Sequence, residues 1–316
     1  WAGDLVYILL VIFIIFQNME SQKVTFCNEI SLMMFGFGDS HKPNPETVRL
    51  VESIVLKQLR TIVQEALKYS DNKNLKGKEL VFLMRHDKHK MRRFVQYLKN
   101  KQLKASLQSM NSSVIEVDKD PKPKGELMKF IEYIDETGEF TDFSEVDEVK
   151  QSRLLRADRI SQALDEKRYL EFCKARAVSF CSRDITSRNS EKLRQWIDPR
   201  KEVNFHSNAM VVLAYLAYQT VAEITDYALL VRMEGKCGAD PLNHLYGSYY
   251  TSTMFNGDYR IGASGTTNLD YSRVYSGQPP ISVNEIKEVM RRVHSPQAGK
   301  LTFGGKLPET HFLFAL

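Results

Sequence analysis

The chain is poor in cysteine: four among 316 residues, at Cys27, Cys173, Cys181 and Cys237, with no Cys-x-x-Cys pair. A disulfide framework and zinc binding are poor readings of that spacing, and a reducing compartment fits best. Long apolar runs are scarce as well. Leu5–Phe16 (LVYILLVIFIIF) is unbroken but shorter than the ~20 residues of a membrane-spanning helix. It lacks the basic residues that precede a signal-peptide core, because the only charge ahead of it is Asp4. Met19 follows at once and reads as the natural start, which makes residues 1–18 a non-native extension. A membrane anchor truncated at its N-terminus is the alternative, and no membrane contact is expected.

Patterns that carry catalysis are missing too. Gly36-Phe-Gly38 has no strand ahead of it and no third glycine, so it reads as a loop between helices, not a phosphate cradle. His86 and His89 lie three apart on a helix, but Lys88, Lys90, Arg92 and Arg93 surround them and no third ligand is nearby, whereas closed metal sites want four. No cysteine has evident His and acid partners for a nucleophile. The expectation is a protein without catalytic residues, metal, cofactor or small-molecule substrate.

What is present is helix. A hydrophobic share of 43% supplies real cores, and the length allows two modest domains. The net charge of +5 suits contact with nucleic acid or acidic proteins. Phe26–Phe35 is a short amphipathic stretch ended by Gly36 and Gly38. Asn44 and Pro45 mark a helix start, since Asn accepts from a free N–H and Pro at the first position lacks one. Val48, Val51, Val55, Leu59, Ile62 and Ala66 then recur three or four apart on one face of a long helix. A short helix, Glu79–Arg85, and a basic helix from Asp87 to about Lys101 follow. The layout recurs after a linker (106–185) holding the charged helical segment Phe143–Arg176. Lys192–Ile197 is short and amphipathic, and a second long helix runs from Ser207 or Asn208 to about Met233 with Leu213, Ala217, Val221 and Ile224 in its stripe. A Gly-, Ser- and Tyr-rich insertion (235–280), helical only near Asp240–Tyr250, leads to a short helix that buries Ile286 and Val289. Its start is marked by a Ser282–Glu285 capping box and an Ile281–Ile286 staple.

The expected fold is all-α: two histone folds in one chain (19–105 and 186–295) forming an intramolecular histone-like pair joined by a helical linker, with 296–316 as a tail. A long helix that is apolar over a wide arc cannot be covered by two short ones, so two such units supply each other's missing core. Recruitment of a separate external partner by each half is the alternative.

The residues Phe26–Asp39 (FCNEISLMMFGFGD), Pro45-Glu-Thr-Val and Phe82-Leu-Met-Arg resemble the first histone fold of the "suppressor of Ty 3" transcription initiation family. Glu145–Lys150 (EVDEVK), Arg156-Ala-Asp-Arg, Tyr169–Arg176 (YLEFCKAR) and Leu213–Arg232 look like that family's middle segment and second fold. The resemblance implies a nuclear subunit of the SAGA coactivator that binds the TATA-box-binding protein and other SAGA subunits. A general-factor relative in TFIID shares only the first fold. One departure is Lys76-Gly77, where relatives open the third helix with Ser-Pro or similar.

Two surfaces stand out as candidates. Lys88, Lys90, Arg92 and Arg93 could touch DNA phosphate weakly, or form a solvated helix face. Tyr215, Gln219, Glu223 and Asp226 lie off the apolar stripe of the second long helix and are expected either to present a partner surface or to pack on Phe143–Arg176. The alternative function is a general-factor or chromatin-like subunit that contacts DNA through the basic surface.

Overall fold

A computed structural model describes residues 24–70, 72–112, 125–181, 188–237, 279–294 and 313–316. Helix α1 (Cys27–Phe37) ends where Gly38 turns into the left-handed region at φ 112°. A Cβ at Gly38 would also lie 2.6 Å from Arg156 Cδ, so both conformation and space demand glycine. Helix α2 (Pro45–Leu67) is capped by Asn44, whose side chain accepts from the Glu46 N–H at 2.9 Å. Strand β1 (Asn74–Leu75) and helix α3 (Gly77–Met84) follow. Although no hydroxyl caps α3, the Glu79 carboxylate reaches back to the Lys76 N–H at 2.9 Å. The helix therefore begins two residues before the expected Glu79.

Helix α4 (Lys88–Ser112) continues well past Lys101 and the expected end of the first unit. The linker region holds α5 (Glu126–Ile134), which periodicity did not suggest, and then α6 (Glu148–Ala163) and α7 (Glu166–Ala177). The second unit is α8 (Arg188–Ile197), β2 (Asn204–Phe205), α9 (Ser207–Cys237) and α10 (Val283–His294). The capping box at α10 is formed: Ser282 N–H donates to Glu285 at 2.6 Å, and Glu285 N–H to Ser282 Oγ at 3.3 Å. Residues 1–18, the helix expected near Asp240–Tyr250 and most of the tail lie outside the described residues. Among the described residues, no helix is long and apolar enough to cross a membrane.

Short–long–short thus occurs twice, and the two units embrace head to tail. Helix α9 packs on α1, α2 and α3 of the first unit as well as on α8 and α10 of its own. At one end the loop after α2 meets the loop before α9: β1 and β2 run parallel with Leu75 beside Phe205, and His206 N–H donates to Leu75 O at 2.9 Å. At the other end the loop before α2 meets the segment entering α10: Ile281 N–H donates to Asp39 Oδ1 and Thr47 Oγ1 to Ile281 O, each at 2.8 Å. These mirrored junctions tie the two units together at both ends.

The pair shares one core. Val51, Val55, Leu59, Ile62, Leu213, Ala217, Val221, Ile224, Ile286 and Val289 are all buried within a single apolar cluster. Thr220 and Thr225, buried in the same helix, satisfy their hydroxyls on Leu216 O and Val221 O at 2.9 and 2.8 Å. Edge-on packing of Phe26, the residue just before α1, against Trp196 of α8, with centroids 4.9 Å apart, adds a contact between the two units. A smaller cluster of Phe35, Ala157, Ile160, Phe172 and Ala175 fastens α6 and α7 to the outer side of α1.

Candidate interaction surface

The side of α9 that turns away from α2 is polar, and it meets α6. Gln219, Glu223 and Asp226 recur at helical spacing along α9, while Arg153 and Arg156 recur at the same spacing along α6. Arg153 Nε donates to Asp226 Oδ2 at 2.6 Å and its terminal nitrogen to Gln219 Oε1 at 3.1 Å. Arg156 lies 2.8 Å from Asp226 Oδ1 and donates to Phe37 O, the end of α1, at 2.6 Å. One carboxylate therefore ties two guanidinium groups, and through Arg156 it links α9, α6 and α1.

These positions revise the expectation of an exposed acidic and aromatic face. Tyr215, Glu223 and Asp226 are buried, at 7%, 7% and 9% exposure, and Gln219 is half-buried. Tyr215 packs between Phe94 and Tyr97, with centroids 5.0 and 4.9 Å away, and burial raises its hydroxyl pKa. Burial likewise raises the Glu223 carboxyl above its usual range, opposed by Lys90, whose Nζ is 3.7 Å away. Gln219 and Asp226 are covered by α6, the packing alternative that the charge pattern left open, whereas Tyr215 and Glu223 are covered by Phe94, Tyr97 and Lys90 of α4.

The basic run of α4 is occupied in the same way. Arg92 is buried, donates to Glu139 O at 2.7 Å and pairs with Glu145. Arg93 Nε lies 2.7 Å from Asp147 Oδ2. Lys90 Nζ donates to Phe314 O at 2.5 Å and to Leu316 O at 3.1 Å. Of these four residues Lys88 is the exposed one, 3.8 Å from Glu145. The Arg92 hydrogen bond in turn holds the Glu145 carboxyl below its ordinary pKa.

Between α4 and α6 the surface dips into an open depression of about 260 Å³, bounded by His89, Phe143, Val146, Lys150 and Leu154. That is below the ~300–1,000 Å³ of ordinary small-molecule sites. Val146 and Leu154 of its lining, and Val149 and Leu155 nearby in sequence, are exposed. Among the described residues, no group of three or more His, Cys, Asp or Glu side chains is placed to hold a metal ion.

Sequence comparison places this architecture. The family described as transcription initiation factor IID, 18kD subunit, matches residues 24–111, which span α1 to α4. The SAGA complex subunit Spt3 of Drosophila melanogaster is 31% identical over 289 residues, covering 89% of this chain and 71% of that protein. The chain belongs to the Spt3 family. The SAGA complex subunit Spt3 of Schizosaccharomyces pombe is 26% identical over 85% of this chain and 89% of its own length. By contrast, TFIID subunit 13 of Arabidopsis thaliana is 35% identical over 78 residues, 24% of this chain and 62% of its own length.

In this Spt3-family chain the charged seam is built largely from segments outside that short first-fold match: α6, α9 and the turn carrying Glu145 and Asp147. Arg153 was not singled out by sequence reading, and Arg156 entered only as part of the Arg156-Ala-Asp-Arg likeness, without a role. Their signal was available, since two arginines three apart on one helix match two acids three apart on another. The residues Leu313–Leu316 were also missed; their only mark is a short apolar cluster in a polar tail.

Proposed function

We propose that this protein is a non-catalytic subunit of a SAGA-type transcription coactivator, acting in the nucleus as a scaffold that binds the TATA-box-binding protein and helps deliver it to promoters of RNA polymerase II. The observation that carries the reading is the extent of likeness. Similarity to the SAGA complex subunits named Spt3 runs over most of the chain, whereas similarity to TFIID subunit 13 ends after about a quarter of it. A rigid intramolecular pair suits a scaffold: both folds are satisfied internally, and α6 and α7 form a layer outside them.

Within this reading Glu223 and Asp226 are positioning groups. Asp226 holds α6 against α9 through Arg153 and Arg156, and Glu223 pairs with Lys90 of α4.

Tagging the protein in cells and identifying co-purified proteins by mass spectrometry tests the reading. Acetyltransferase-complex subunits are expected. Recovery of general-factor subunits alone overturns it. A pull-down of purified TATA-box-binding protein at low and moderate salt tests the second part separately, and no retention at either salt removes that partner.

A further inference from the structure

We infer that Leu313–Leu316 (LFAL) is a ligand bound in cis, filling a peptide groove that the two histone folds build together. Phe314 is fully buried and Ala315 nearly so, with Leu313 and Leu316 packed on the same core. What distinguishes the segment from ordinary core is that its backbone is recognised by side chains of other elements. Gln58 Oε1 of α2 accepts from the Phe314 N–H at 3.2 Å. Lys90 Nζ of α4 donates to Phe314 O at 2.5 Å and to Leu316 O at 3.1 Å. Leu316 N–H closes the turn on Leu313 O at 3.3 Å. Tyr227 of α9 lines the pocket, with its ring centroid 6.2 Å from that of Phe314.

The groove also explains two residues that fit poorly with their own helices. Gln58 is buried on the apolar side of α2 beside Leu59. Its carboxamide presents an acceptor there for the Phe314 N–H of the turn. Lys90 carries a charge into a region where Glu223 is desolvated, and two tail carbonyls complete its coordination beside that acid. Such polar groups placed to read a main chain, around a pocket for one aromatic ring, are the arrangement of a peptide site.

The segment is tethered by the eighteen residues 295–312 that follow α10. A tether of that length holds the tail near the groove at an effective concentration around the millimolar level, so modest intrinsic affinity suffices for occupancy. The groove is thus specific for an apolar turn with an aromatic residue at its second position, and the chain's own copy competes with any other. The inference stands independently of the coactivator reading.

The test uses a fluorescent peptide of residues 309–316 and measures anisotropy. A chain lacking residues 313–316 is expected to bind it saturably, and the intact chain roughly 10-fold or more weaker. Introducing Lys90→Met in the shortened chain, or Phe314→Ala in the peptide, should each weaken binding by roughly 10-fold. Absence of binding by the shortened chain, or equal binding by both chains, overturns the inference. Should the shortened chain fail to fold, the intact chain carrying Phe314→Ala, shown to be folded by circular dichroism, takes its place. It must bind the peptide more tightly than the unaltered chain, and failure to do so overturns the inference equally.

Discussion

Asp226→Asn isolates the bond that fastens α6 to the histone pair. The substitution keeps the shape of the side chain but removes the charge that lies 2.6 Å from Arg153 and 2.8 Å from Arg156. Both guanidinium groups are mostly buried, at 15% and 8% side-chain exposure, so solvent screens them little. Breaking a buried pair by removing one partner typically costs about 3–5 kcal/mol, because the other charge stays desolvated. Against a total stability of about 5–15 kcal/mol that is a large fraction. At about 2–4 °C per kcal/mol for a domain of this size, thermal unfolding followed by circular dichroism should move down by roughly 6–20 °C. Arg153→Met alone should also destabilise, but the double variant should lose less than the sum, since the acid and the base then vanish together. A melting shift under about 2 °C, or strict additivity, would refute the reasoning and mean that α6 is held chiefly by its other contacts, the apolar ones to Phe35 and the Arg156 bond to Phe37 O.

Two further outcomes are expected. Val221→Glu places a carboxylate at a fully buried position of the shared core, where an unpaired charge costs several kcal/mol; cooperative unfolding should disappear from the melting curve, and a curve like that of the unaltered chain would show that α9 is rotated from the orientation described. Asp39 gives a pH dependence: burial pushes its carboxyl from 3.8 up to about 6, against the opposing hydrogen bonds from Ile281 and Ser40. The folded state then holds a proton that the unfolded state has released between about pH 4 and 6, so this group's contribution to stability falls as pH rises through that window. Asp39→Asn keeps an acceptor for both N–H groups and should flatten denaturant-measured stability across that range, whereas an unaltered pH profile would assign the dependence to other groups.

Much of the fold was readable because its signals are local. The repeat Val51–Val55–Leu59–Ile62 reports the buried face of α2 without reference to anything else, and Asn44-Pro45 and Ser282–Glu285 start their helices through atoms a few residues away. The same locality explains the failures at the candidate site. Glu223 and Asp226 sit off the apolar stripe of α9, which is what a solvated acid does, and periodicity within one helix cannot distinguish exposure from burial against a second polar face. Arg153 decides the matter, and it lies 73 residues from Asp226 in the chain. Arg92 and Arg93 were likewise legible as charges, but not as charges already neutralised by Glu145 and Asp147 on a distant turn. Phe314 stands furthest from any sequence cue, 256 residues from the Gln58 that receives its N–H. Local spacing alone thus determined which residues form helices and which apolar faces need cover. Which polar faces are covered, and by what, was decided only by tertiary structure, because burial of a charge depends on a counter-charge that chain folding brings from elsewhere.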